Sequence, residues 1–234
     1  VTGYEALSRE DGSRVDFDFL RSVDSPTIAN AIEELEGSRA LTEGFLSGPI
    51  RCQFPELPVM VGRALTVVMT NAREADPGRR NYWRMWERLE ASTEPTVLVI
   101  QDASGQPERV AYAGEVMSTL AQRLGAVGIV TDGALRDVPE VRALGLHYFM
   151  KYPVVSHADF QVVSVGEPVV LDGQRVVTGD ILHGDENGVV IVPEASLPGL
   201  PAQVEVVRER ERRELELIRS RDFSLASLRP AHSY

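Results

Sequence analysis

The sequence predicts an α/β fold: a single compact domain with a mixed β core, a parallel βαβα layer, a β-rich C-terminal half and a long C-terminal helix. Three observations carry this. Between residues 96 and 144, apolar runs alternate with segments of helical period, the pattern of a parallel layer with right-handed crossovers. After Pro153 the runs shorten, and the pairs Asp172-Gly173, Gly179-Asp180 and Asn187-Gly188 punctuate them, as in β structure with tight turns. Near the C-terminus a charged run carries an apolar seam, the mark of a surface helix.

Composition narrows the function. With 43 % hydrophobic and 25 % charged residues, the 234-residue chain is an ordinary globular sequence, long enough to bury a core without staples. Its 24 Lys and Arg against 35 Asp and Glu leave a net charge of −11. That field repels phosphate backbones and anionic bilayers, so neither nucleic acid nor membrane is an expected partner. One cysteine, Cys52, excludes an internal disulfide framework and a cysteine-based zinc site. No stretch has the length of a membrane span and no signal peptide opens the chain, so the expected compartment is the cytoplasm.

Residues 1–24 are expected to form an N-terminal arm with a short helix, 25–220 the domain, and 221–234 a tail. Ser25-Pro26-Thr27 marks a helix start, with Ser25 as cap and Pro26 in the first turn. Ile28, Ala31, Ile32 and Leu35 share a face, and Gly37 ends the helix. Residues 38–60 read as irregular, broken by Gly44, Gly48, Pro49, Pro55 and Pro58. Ala64 to Met69 is a buried strand, 73–80 (READPGRR) a charged loop, and Tyr82 to Leu89 a helix. Thr96 to Gln101 is a second strand, ending at Asp102. From Gly114 a helix places Val116, Met117, Leu120 and Leu124 on one face, and Gly125 stops it. Val127–Thr131 is a third strand, and Val138–Leu144 a short helix closed by Gly145. Val162–Val165, Pro168–Leu171, Arg175–Val177 and Val189–Val192 are short strands. Ser196-Leu197-Pro198 opens the last helix, which runs to about Ser220.

The block TDGALRD, 131–137, lies where the third strand gives way to a helix. In an α/β layer that end of a strand is where ligand sites form. Asp137 has a local explanation, as a helix cap with Glu140 completing a capping box. Arg136 and Asp132-Gly133 do not. Gly114-Glu115 begins another helix, where the amides of Val116 and Met117 lack intrahelical partners and suit a substrate carboxylate. Its plain alternative is a first-turn acid favoured by the helix dipole. Twenty residues separate Glu115 from Arg136, one helix plus one strand, so both can meet at one sheet edge. On the last helix the seam Val204, Val207, Leu215, Ile218 includes Glu211. An acid there is costly unless paired or used; an interface ion pair and a site role stand level. In the stretch 179–188 turn residues dominate, so its default role is structural. His147, His157 and His183 lack zinc-site spacing, although a pair meeting in the fold stays open.

Gly114-Glu115, TDGALRD and the segment from Gly179-Asp180 through His183-Gly184-Asp185-Glu186-Asn187-Gly188 to Val192-Pro193 together resemble the RraA-like superfamily. The resemblance covers roughly 25–220 and implies its swivelling β/β/α fold. That superfamily includes the regulator of ribonuclease activity A and class II aldolases of 4-hydroxy-4-methyl-2-oxoglutarate and 4-carboxy-4-hydroxy-2-oxoadipate. The aldolases share an acid, twenty residues, then Arg-Asp. The resemblance implies that Asp137 binds Mg²⁺ or Mn²⁺ and Arg136 contacts the pyruvyl oxygens. It implies that Gly114 and the amides of Val116 and Met117 hold the substrate carboxylate. Glu115, and Glu211 from a neighbouring subunit with Glu214 as fallback, would hold the metal's waters. Trimers, or hexamers built from trimers, are implied. The aldolases carry Asp where this chain has Glu115, and SHADF (156–160) and ILHGDENG (181–188) look like a different branch.

The implied chemistry is metal-assisted C–C cleavage beside a 2-oxo acid, releasing pyruvate, with oxaloacetate decarboxylation as a side activity. Two alternatives use the same scaffold. One is a non-catalytic regulator of the ribonuclease-regulator type. The other is a hydro-lyase for a sugar acid with His157 or His183 as base.

Overall fold

The computed structural model describes residues 15–37, 43–46, 48–76, 78–157 and 159–229. The expected arm up to residue 14, residues 38–42 of the irregular stretch and the end of the tail, 230–234, lie outside them.

A short helix comes first, α1 (Phe17–Arg21), capped by the Asp16 carboxylate, which accepts the Phe19 amide at 2.9 Å. Val15, Leu20 and Val23 are buried, so the end of the stretch expected as a polar arm belongs to the core. Helix α2 (Ser25–Glu36) is capped by Asp24, not by Ser25: Asp24 accepts the Thr27 amide at 2.9 Å. Ser25 is the first helical residue instead. Its hydroxyl lies 2.9 Å from the His183 ring and its amide donates to Asp185 at 2.7 Å. Ile28 and Ile32 are fully buried on the inner face, each contributing about 1.5–3 kcal/mol.

Two two-residue strands, β1 (Phe45–Leu46) and β2 (Arg51–Cys52), interrupt the stretch expected to be irregular. The layer then runs β3 (Met60–Thr70), α3 (Arg80–Glu90), β4 (Thr96–Asp102), α4 (Glu115–Arg123), β5 (Ala126–Thr131), β6 (Ala134–Leu135), α5 (Val138–Leu144) and β7 (His147–Met150). Gly145, at φ 74°, stops α5 and turns the chain into β7, a strand that the sequence reading did not anticipate. On α4, Val116 leaves the expected apolar face and is 83 % exposed. Ser118 and Ala121 are buried in its place, with Met117, Leu120 and Leu124 packed beside them.

The C-terminal half adds β8 (Tyr152–Pro153), β9 (Gln161–Val165), the hairpin β10 (Val169–Leu171) and β11 (Gln174–Val176), then β12 (Ile181–Asp185) and β13 (Gly188–Val192). Strand β12 corrects the turn reading of its segment: all five residues are buried. Helices α6 (Leu200–Arg219) and α7 (Leu225–Leu228) complete the described chain.

Nine strands form one sheet in the order β1-β13-β12-β3-β4-β5-β7-β2, with β9 paired to the second half of β3. Strands β3, β4, β5 and β7 run parallel. Strand β4 shows how both faces are used: Leu98 and Ile100 pack toward α3, α4 and α5, while Val97 and Val99 pack toward the β10–β11 hairpin. A third cluster joins α1, α2 and the first half of α6 to β12 and β13. The α6 seam is therefore core for only half its length. Val204 and Val207 are fully buried, whereas Leu215 and Ile218 are 43 % and 44 % exposed.

Candidate active site

Beyond the C-terminal ends of β4 and β5 lies a cavity of about 300 Å³. Its floor is Ala111–Gly114 with Arg136, and Val116 and Met117 form one rim. The floor segments are zipped together by the backbone. The Tyr112 amide donates to the Ala134 carbonyl, and the Arg136 amide to the Ala113 carbonyl, both at 3.0 Å.

Asp137 departs from the capping-box reading. It precedes α5, but its backbone is left-handed (φ 57°, ψ 44°) and its side chain caps nothing there. A capping side chain needs an extended backbone to reach back over its own first turn; the left-handed turn points this carboxylate elsewhere. Its Oδ2 accepts the Glu115 amide, the first of α4, at 2.8 Å. Arg136 Nε lies 3.6 Å from the same oxygen, and both side chains are about one-third exposed (32 % and 35 %). Gly114 makes room for this. A Cβ there would sit 2.8 Å from Arg136 Nε and closer still to Asp137 Oδ2. Gly114, Glu115, Arg136 and Asp137 thus form one cluster. The amides of Val116 and Met117 follow in the same first turn, with no partner inside the helix.

Asp132-Gly133, unexplained by local rules, supports the floor. Asp132 accepts the Asp102 amide at 2.7 Å, and burial pushes its carboxyl up to about 6. The buried Tyr112 hydroxyl donates to Asp102 Oδ1, and Ser104 donates to the same oxygen at 2.7 Å. Burial holds the Tyr112 hydroxyl well above the ordinary phenol range. A Cβ at Gly133 would sit 2.8 Å from the Tyr112 ring. The strand end, the TDG turn and the cavity floor are therefore fixed to one another.

The remaining candidates separate clearly. His157 is exposed and lines the cavity. His183 does not: it is fully buried, Nδ1 lies 2.9 Å from Ser25 Oγ and Nε2 2.9 Å from the Leu20 carbonyl. Burial lowers its pKa, and with both ring nitrogens engaged away from the cavity it is placed as a structural histidine. His147 is likewise buried and anchored, with Nε2 2.7 Å from the Pro58 carbonyl. Within one chain Glu211 does not reach the cavity; Asn30 Nδ2 donates to it at 3.4 Å. Glu214 lies on α6 along a groove with Val206, Arg210 and Leu217.

The sequence reading named His157 but missed the residues that line the cavity with it, Arg79, Tyr82 and Phe160. Arg79 and Tyr82 had been assigned to a charged loop and a helix. Nothing local shows that they meet His157 and Phe160.

Among the described residues no three His, Cys, Asp or Glu side chains converge on one point, so a protein-built zinc or calcium cage is not formed there. One partly exposed carboxylate, Asp137, with only its Oδ2 taken up by the Glu115 amide and Arg136, fits a hard cation that keeps most of its water, the habit of Mg²⁺.

A small cavity lined by Arg136 and the first turn of α4, with the Asp137 carboxylate beside that lining and not part of it, at the ends of parallel strands defines an α/β protein shaped to hold a small anionic molecule. The chain belongs to the RraA-like (Aldolase/RraA) family, whose model matches residues 25–191. A Halalkalibacterium halodurans protein named "Putative 4-hydroxy-4-methyl-2-oxoglutarate aldolase" is 30 % identical over 100 residues, 42 % of this chain and 47 % of that protein. The match thus spans about half of that relative. An uncharacterized protein from Pseudomonas syringae pv. tomato shares the fold at TM-score 0.72 and 24 % identity over 92 % of each chain. The crystal structure titled as Streptomyces coelicolor RraAS2, "an unusual member of the RNase ES inhibitor RraA protein family", aligns at TM-score 0.63 and 26 % identity. That alignment covers 86 % of this chain and 96 % of the other.

Proposed function

We propose that this cavity belongs to a divalent-metal-dependent lyase that cleaves the C–C bond beside a 2-oxo acid, releasing pyruvate from a 4-hydroxy-2-oxo acid. The observation that carries the reading is the Asp137 carboxylate. It forgoes its own helix and joins Arg136 at the first turn of α4. A carboxylate and a guanidinium held together where amides stand unpaired suit a 2-oxo acid and its counter-cation better than they suit a helix cap.

Asp137 would be the direct metal ligand, with Glu115 and Glu211 of a second subunit holding its waters. The bound cation supplies Lewis-acid polarisation of the 2-oxo group. The amides of Val116 and Met117 hold the substrate carboxylate at the positive end of α4. Arg136 faces the 2-oxo oxygen and stabilises the charge that collects there as the C3–C4 bond breaks. Glu115, through water, takes the proton from the 4-hydroxyl as the new carbonyl forms. A proton then returns to C3 of the enolate, giving pyruvate. Oxaloacetate enters the same path by losing CO₂.

The test is pyruvate release from oxaloacetate with and without Mg²⁺, in wild type and Asp137→Asn. Asparagine keeps an oxygen for the Glu115 amide but lacks the charge. We expect Mg²⁺-dependent turnover, and at least about a 100-fold lower kcat/KM in the variant. Equal turnover in the two proteins overturns the assignment. The RraAS2 likeness favours a second reading, a regulator that binds a ribonuclease and has no turnover. A folded protein that captures a ribonuclease yet leaves every 2-oxo acid intact would establish it. The placement of His157 at the cavity favours a third, a sugar-acid hydro-lyase. Turnover lost in His157→Ala and retained in Asp137→Asn would mark that reaction.

A further inference from the structure

Arg79, Tyr82 and Phe160 line the same cavity as Arg136 and have no role in the chemistry above. The cavity thus holds a second guanidinium. Arg79 lies over the Tyr82 ring, 4.1 Å from its centroid, and 6.0 Å from that of Phe160. Tyr82 and Phe160 are themselves 6.4 Å apart, so the cation rests against an aromatic corner of the cavity.

Arg63, Arg73, Arg142, Arg210 and Arg212 each pair with a carboxylate. Among the described residues Arg79 pairs with none, and its guanidinium rests against two rings. The chain is strongly acidic, at net −11, so an exposed guanidinium that lines a cavity with no carboxylate on it among the described residues is a local reversal of the general field. The Tyr82 ring covers one side of the guanidinium. Its N–H edge remains, a fork that matches a planar carboxylate. Apart from the two arginines much of the lining is small or apolar, from Ala111, Ala113, Met117 and Phe160. That suits the carbon skeleton of a ligand with a charge at each end.

We propose that Arg79, stacked on Tyr82, is the specificity-determining residue for the far end of the substrate. It receives a second carboxylate and so selects dianionic over monoanionic 2-oxo acids. The proposal rests on the reading of the cavity as a 2-oxo acid site.

The experiment measures binding, so that it does not depend on turnover. Calorimetric affinities for 2-oxoglutarate and 2-oxopentanoate, which share a chain length but differ in the far-end charge, are compared at fixed ionic strength with Mg²⁺ present. The proteins are wild type, Arg79→Met and Arg79→Lys. Methionine keeps a stem against Tyr82 and removes the charge; lysine keeps the charge and loses the fork. We expect wild type to prefer 2-oxoglutarate about ten- to hundredfold, Arg79→Met to lose that preference with 2-oxopentanoate unaffected, and Arg79→Lys to fall between. Wild type showing no preference, Arg79→Met weakening both ligands equally, or neither ligand binding each overturns the proposal. If the preference depends on Arg79 but no 2-oxo acid is turned over, the lyase reading fails and the Arg79 assignment stands.

Discussion

Gly114→Ala is the sharpest test of the cluster at the first turn of α4. Gly114 has an extended backbone (φ −139°, ψ −163°), which any residue adopts, so the substitution brings no backbone strain. Its whole effect comes from one methyl group. That methyl would meet Arg136 Nε at 2.8 Å and Arg136 Cγ at 2.9 Å, and would overlap Asp137 Oδ2. Relief requires both side chains to move by about 1 Å, and a misplacement of that size costs about 100-fold in rate. Overpacking of a closed core costs about 1–3 kcal/mol. Here both side chains reach solvent and can swing outward, so the low end applies, about 1 kcal/mol or a few degrees in Tm. The assay pairs Mg²⁺-dependent pyruvate release from oxaloacetate with thermal unfolding. We expect a folded protein, slightly less stable, with turnover reduced about a hundredfold. Unchanged kcat/KM would show that the Asp137–Arg136 geometry is irrelevant to activity.

Two further predictions follow from the same region and its surroundings. Asp132 has its carboxyl raised from 3.8 to about 6, chiefly by burial, so the fold favours its protonated form. The stabilising contribution of that proton is complete below the unfolded value and is lost as pH rises through about 6. Asp132→Asn retains an oxygen for the Asp102 amide and removes the titration. Its stability relative to wild type should therefore grow between pH 4.5 and 7.5, by about 1–2 kcal/mol after allowance for solvent screening; a pH-independent difference in urea unfolding refutes this. If Glu211 serves the site of another subunit, Glu211→Gln and Asp137→Asn preparations, each impaired, should regain part of the activity when mixed under subunit exchange. No gain over the separate proteins would place Glu211 outside the site.

Much of the layer could be read from local chemistry. The apolar run ending at Thr131, Pro139 in a first turn and Gly145 as a stop placed β5 and α5 correctly. The same local rules misplaced Asp137, because a capping box presumes an extended cap residue, and its left-handed turn depends on a partner twenty-two residues away. Ser25 failed as a cap for a related reason: His183 and Asp185, distant in sequence, claim its hydroxyl and amide. Strand β12 was hidden by its own polar residues. His183 and Asp185 resemble turn formers until their partners on α1 and α2 are in place. The Arg79 wall was illegible throughout, since it exists only where the start of α3 meets His157 and Phe160.

The bond between His183 and the Leu20 carbonyl has a practical consequence for anyone trimming the gene. Family similarity begins at residue 25, an inviting point at which to start a shortened protein. Such a protein would strand an imidazole in a dry interior, remove the stopper formed by Leu20 and Val23, and strip α2 of its Asp24 cap. The folding unit starts upstream of the similarity, and a shortened protein must keep at least Val15 onward.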